Sequence, residues 1–186
     1  MKTALWTLLL SAVLLWGCAD TPNSPTESGS DSYQLIKLPP KSGLSVETIF
    51  SQTKLIDGAI GGKIKIIENY FAADGHVVIV QATLTVPPAA FTGSEYITMT
   101  IDDEFAAASF SPAMVFDNPV ELDLKFIGID FEELNLTSGN YDFLYIDDNG
   151  NTETVLYDGV FVDELQGKVR VQKANLNHFS RYCFTR

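Results

Sequence analysis

The chain has 186 residues, 46% hydrophobic and 19% charged, which suits one good-sized domain and excludes a disordered or fibrous chain. Twelve Lys+Arg stand against 24 Asp+Glu, a formal net charge of -12, so nucleic acid, which needs a basic face, is not expected as a partner. Two Cys and two His fall far short of a zinc cluster or a multi-disulfide framework.

Lys2 supplies a positive start, and Ala4 to Trp16 is an apolar run too short to make a convincing membrane-spanning helix. Residues 1–17 therefore read as a secretory signal. Leu15-Trp16-Gly17-Cys18 resembles the lipobox of bacterial lipoproteins, in which a small residue precedes a Cys that becomes the lipidated first residue. The resemblance implies acyl chains such as palmitate on Cys18. Each buried methylene is worth about 0.8 kcal/mol, and about two chains suffice for stable anchoring. Ala19, rather than Asp, follows the Cys, which by the same resemblance implies the outer membrane of the cell envelope. The alternative is a plain secretory cleavage site beside a chance Cys. Removing residues 1–17 deletes one Lys and both Trp, which moves the formal net charge from -12 to -13. Residues 18–32 are then the lipidated Cys and a polar tether without a large apolar side chain. A flexible segment of this length holds the body about 20 Å from the lipid on average.

From Tyr33 to Arg186 the pattern is that of short strands bounded by turn residues. Gly61-Gly62 opens the alternating strand Lys63 to Ile67, and Asp74-Gly75 turns into Val77 to Val86, a run long enough for two sheets to share. Pro87-Pro88 ends that run, because proline cannot donate to a ladder. Further strands are expected at Tyr96 to Ile101, Pro119 to Phe126 and Tyr141 to Ile146. Asp130, with Glu133 three residues on, predicts the cap of one short helix. Asn149-Gly150 and Asp158-Gly159 predict hairpins in a C-terminal meander. About ten strands without a dividing linker predict one all-β domain over 33–186, a two-sheet antiparallel sandwich of immunoglobulin-like type.

Three segments carry a more specific likeness. Ile56-Asp57-Gly58-Ala59-Ile60-Gly61-Gly62-Lys63-Ile64, Leu84 to Phe91 through Pro87-Pro88-Ala89-Ala90, and Phe110-Ser111-Pro112 with Phe116-Asp117-Asn118-Pro119-Val120 resemble the ZU-five domain (zona occludens and Unc-five type). His178-Phe179-Ser180-Arg181-Tyr182 matches the way its bacterial relatives often close. Ala89 stands where the family usually has Gly, and no Gly follows Pro112 before Phe116, so two loops lack a residue that takes positive φ freely. The resemblance covers roughly residues 56–184 and implies a β-sandwich used as a protein-binding or spacer module.

Some relatives in that family cleave themselves between Phe and Ser of such a triplet. On one strand, residues two apart share a face, so His178 would take the proton of the Ser180 hydroxyl as it attacks the Phe179 carbonyl. His178 and Ser180 are thus the candidate catalytic pair. The simpler reading makes Leu176 to Phe184 the last strand, with His178, Ser180 and Tyr182 bonding to neighbouring loops.

Asp147-Asp148-Asn149-Gly150-Asn151 has the look of a calcium loop, with Asp147 and Asp148 as the ligands, but lacks the Glu at position twelve. A solvated hairpin is the competing reading, and Asp102-Asp103-Glu104 is a similar acidic run. Gly61-Gly62-Lys63 is not a phosphate loop, because Asp57 stands at its first Gly and Ile64 at its Ser/Thr. Cys183, the one thiol left after lipidation, reads as a small buried apolar residue. No Gly-x-Ser-x-Gly elbow is present. The expected function is a non-enzymatic, membrane-anchored lipoprotein with a β-sandwich binding or scaffolding module, needing no cofactor. Its partner is an unknown protein or envelope component. The alternatives are an autoprocessing domain and a calcium- or glycan-binding adhesion module.

Overall fold

The computed structural model describes residues 33–43, 50–136, 139–147 and 149–186; Cys18, the signal segment and the tether lie outside the described residues, as does Asp148. The described residues form eleven strands and no helix. They are β1 (Ser51–Asp57), β2 (Gly62–Phe71), β3 (Val77–Val86), β4 (Ser94–Ile101), β5 (Ala107–Ser111) and β6 (Val115–Ile127). There follow β7 (Asp142–Ile146), β8 (Thr152–Thr154), β9 (Gly159–Asp163), β10 (Lys168–His178) and β11 (Arg181–Thr185). One sheet runs β1-β4-β5-β11-β7-β8 and the other β2-β3-β6-β10-β9, with antiparallel pairing throughout. The two-sheet antiparallel sandwich is therefore the fold, and Tyr33–Arg186 makes one compact unit.

Strict alternation builds the shared core. On β3, Val78, Val80, Ala82, Leu84 and Val86 are buried, and on β6, Val120, Leu122, Leu124 and Phe126 face the same interior. Each large apolar side chain withdrawn from water contributes about 1.5–3 kcal/mol. β3 serves one sheet only, contrary to the expectation that two sheets would share it. Its full length pairs with β2, and Ile79–Thr85 pair with β6 on the other side, so no free ladder remains.

Edge strand β1 carries Lys54 at an inward position opposite the buried Ile97. Its ammonium donates to the Lys63 carbonyl of β2 at 3.1 Å, which closes the seam between the sheets and keeps other strands off this edge. Residues 34–42 run as a strap from Arg186 to the end of β2. Gln34 and Arg186 exchange backbone bonds of 2.9 and 2.9 Å, and Ser42 N–H reaches the Phe71 carbonyl at 2.8 Å.

Two turn expectations need correcting. Asn149-Gly150 does sit in the β7–β8 hairpin, but Asp158-Gly159 lies just past a crossover between sheets and already runs beside β10, with Asp158 N–H on the Gln172 carbonyl at 3.0 Å. β8 is only three residues long, and Leu156 then bridges to Asn175 of β10, which draws the chain onto the other sheet. The neighbouring hairpin, β9–β10, is turned instead at residues 164–167, where Gly167 takes φ +60° and Asp163 Oδ1 accepts Gln166 N–H at 3.1 Å. The short helix is also absent. Asp130 Oδ1 accepts the Glu133 N–H at 2.8 Å as a cap would, but Asn135 at φ 54° ends the turn at once. Leu136 N–H then returns to the Phe131 carbonyl at 2.8 Å and Asn135 N–H to that of Glu132 at 3.0 Å, the closing pattern of a helix C-terminus.

The loop after Pro87-Pro88 takes a left-handed conformation without a glycine. Ala89 adopts φ 60°, its carbonyl accepts Asn118 Nδ2–H at 2.9 Å, and its methyl is exposed. A left-handed conformation costs a residue with a Cβ about 1–2 kcal/mol, while glycine loses about 0.4–1 kcal/mol through the unfolded chain. Ala89→Gly is therefore expected to stabilise the domain by about 0.5–1 kcal/mol, read as a higher urea midpoint at unchanged slope; a lower midpoint would contradict it.

Candidate functional site

The expected last strand is two strands. β10 ends at His178 in the five-stranded sheet and β11 begins at Arg181 in the six-stranded one, with Phe179-Ser180 as the link. The register against β6 shifts at this point: Leu176 pairs with Val120 and His178 with Val115, so Phe116 to Pro119 form a bulge within β6. Phe179 N–H donates to the Met114 carbonyl at 2.8 Å, and its buried ring fills the resulting space. It stacks on Phe110 at 5.0 Å and meets Phe116 edge-on at 4.6 Å.

The candidate catalytic pair flanks this crossover, His178 closing β10 and Ser180 standing just before β11. His178 Nε2 lies 3.4 Å from Glu153 Oε2, and its ring stands edge-on to Tyr145 at 4.7 Å. No hydrogen bond joins His178 to Ser180; the Ser180 carbonyl accepts Phe110 N–H at 3.0 Å. The alternation of a single strand does not hold here, because burial of Phe179 turns the chain from one sheet to the other. Tyr182 secures the turn by donating its hydroxyl to the His178 carbonyl at 2.6 Å, with burial raising the phenol's pKa strongly. Similar tyrosine corners close other two-sheet sandwiches. β11 lies between β5 and β7 with Tyr182, Cys183 and Phe184 buried, so a backbone cut after Phe179 would leave its strand held in the sheet.

The acidic candidates are spent on turns. Asp147 Oδ1 accepts the N–H groups of Asn149 at 2.9 Å and Asn151 at 2.7 Å, and Oδ2 accepts Asn151 Nδ2–H at 2.7 Å. The side-chain bond from Asn151 is the main cause that lowers the Asp147 pKa. Asp102 Oδ1 accepts from Glu104 and Phe105 N–H, both at 2.9 Å, and Oδ2 pairs with Arg181 at 2.8 Å. Among the described residues no three His, Cys, Asp or Glu side chains are grouped to hold a metal ion. Cys183 is fully buried, and burial pushes its thiol pKa up to about 11.

Two of the concavities among the described residues bear on function, and neither has a linear motif that announces it. One, of about 560 Å³, lies where the β9–β10 turn faces the segment after β6, among His76, Asp130, Glu132 and Glu164, with Leu165 fully exposed beside it. The other, of about 250 Å³, lies on the outer face of the five-stranded sheet, lined by Gln81, Thr83, Asp123, Lys125 and Arg170. Only strand register, read with the burial pattern, brings these last five side chains together. Compared with known proteins, the chain matches no family model, no curated protein and no solved structure.

Proposed function

We propose that this chain is a membrane-anchored lipoprotein of the cell envelope whose β-sandwich is a non-catalytic binding or scaffolding module. The observation that carries the anchor is the apolar run from Ala4 to Trp16 leading into Leu15-Trp16-Gly17-Cys18 and then a polar tether. Acyl chains on Cys18 would hold the body at the membrane, with Ala19 favouring the outer membrane. The strap at Gln34 and Arg186 supports the tethered arrangement, since the body takes hold of the chain directly after the polar segment. For the binding role the support is chemical: His178, Asp147 and Asp102 already have partners within the fold. The proposed likeness to ZU-five domains rests on its quoted segments, which meet in this fold where Ala90 N–H bonds to the Gly58 carbonyl at 3.2 Å and Asp117 N–H to that of Ala90 at 2.8 Å.

Metabolic labelling with radioactive palmitate tests the anchor. The wild-type chain is expected to carry label and to sediment with membranes, and Cys18→Ser to lose both. An unlabelled wild-type chain, or one recovered free in the culture fluid, would overturn the proposal. Intact mass after denaturation is expected to show no loss of residues 180–186; a species cut after Phe179 would restore the autoprocessing reading.

A further inference from the structure

In a chain with twice as many acids as bases, Lys63, Lys65, Lys125, Lys168 and Arg170 share the outer face of the five-stranded sheet. Alternation puts them there. Ile64 and Ile66 on β2, Leu124 and Phe126 on β6, and Val169 and Val171 on β10 are buried, so the residues between them face outward. Register then aligns Ile67, Gln81, Lys125, Arg170 and Phe161 in one row across all five strands. At 4.7–4.9 Å per strand the row is about 19 Å long.

Two features distinguish this face from a merely charged surface. The depression of about 250 Å³ in its middle offers an amide (Gln81), a hydroxyl (Thr83) and a carboxylate (Asp123) beside Lys125 and Arg170, with Asp123 and Arg170 at 3.5 Å. It therefore presents acceptors as well as donors. Lipid phosphate calls for donors alone, whereas each hydroxyl of a sugar both donates and accepts. At the β9 end, Phe161 is 52% exposed. Gly159, two residues earlier on the same face, has no Cβ; one built there would stand 2.9 Å from ring atoms Cε2 and Cζ. The ring thus lies down against the Gly159 backbone, a flat apolar platform of the kind on which sugar rings stack.

We infer that this face binds an acidic polysaccharide laid along the row, with one sugar ring on Phe161 and hydroxyls in the depression. Its carboxylates pair with Arg170, Lys125 and Lys168; the guanidinium can engage one of them through two parallel hydrogen bonds. The occupant is a carboxylated glycan rather than a denser polyanion, because Glu121, Asp123 and Asp163 stand on the same face and repel closely spaced charge. The inference deepens the binding-module reading and rests on it, but is independent of the lipid on Cys18.

Calorimetric titration of the mature full-length chain in detergent tests it, with hexameric oligogalacturonate as the acidic probe and a neutral galactose hexamer as control. Saturable binding of the acidic probe is expected, at least tenfold tighter than the neutral one. Phe161→Ala and Arg170→Ala should each weaken it about tenfold or more with unchanged melting temperature. Gly159→Ala, which alters no charge, should weaken it too, because the ring must lift. Absence of binding, or binding indifferent to both Phe161→Ala and Arg170→Ala, would overturn the proposal. So would a preference for anionic over neutral vesicles in flotation that Arg170→Ala abolishes, since that would make the face a membrane contact. Palmitate labelling is untouched by any of these results, so failure of the glycan site and failure of the anchor are separately visible.

Discussion

Phe179→Ala is expected to destabilise the domain by about 3–5 kcal/mol, the range for truncating a buried aromatic side chain. The ring is 3% exposed and contacts Phe110 and Phe116, which belong to β5 and β6 of opposite sheets. Removing it leaves a cavity at the point where the sheets are joined. Ser180→Ala, one residue on, should change stability by no more than about 0.5 kcal/mol, because its hydroxyl has no hydrogen bond among the described residues while its carbonyl, which is retained, holds Phe110. Urea denaturation of the two variants checks the contrast. Equal effects would mean that the triplet is not organised around the phenylalanine.

Gly58→Ala should be comparably damaging for a different reason. A Cβ at this position would stand 2.1 Å from the Phe91 carbonyl oxygen and 2.7 Å from its carbon, both backbone atoms that cannot rotate away. The two segments are held together at this point by Gly58 N–H on the Gly93 carbonyl at 2.8 Å and Ala90 N–H on the Gly58 carbonyl at 3.2 Å. Relief of the clash requires separating the loops and losing both bonds. Overpacking costs about 1–3 kcal/mol and each lost bond about 1 kcal/mol, so a loss of about 3–5 kcal/mol is expected. For a domain of this size each kcal/mol lowers Tm by roughly 2–4 °C, so the variant should melt about 10 °C lower. An unchanged Tm would show that the β1–β2 and β3–β4 loops do not meet in this way.

Among the strands that the sequence made legible, two have nearly complete alternation. β3 and the second half of β6 bury every second residue, so periodicity alone marks them. β1 escaped notice because only Ile56 of its seven residues is buried and Lys54 occupies an inward position. β5, Ala-Ala-Ser-Phe-Ser, has little intrinsic strand preference and is extended because β4 and β11 pair with it on both sides. Asp158-Gly159 shows that the chain can turn there but not which strand follows, since tolerance of positive φ is local and pairing is not. The same limit governs the sites. His178 and Ser180 look like neighbours on one face only while the strand is taken as continuous. The row from Ile67 to Phe161 draws one residue from each of five strands and has no linear motif to display it.

Read alone, the sequence determined the all-β class and the inward faces of its best strands, because alternation follows from the pleat of a single strand and needs no partner. It also contained the leader pattern on which the lipid-anchor proposal stands. Strand order, the two-sheet crossovers at Leu156 and Phe179, and the outer face shared by Gln81, Lys125, Arg170 and Phe161 were decided only in three dimensions. The physical reason is that a sheet's register is set by which distant strands together bury the most apolar surface, a competition between long-range pairings that short stretches of sequence do not record.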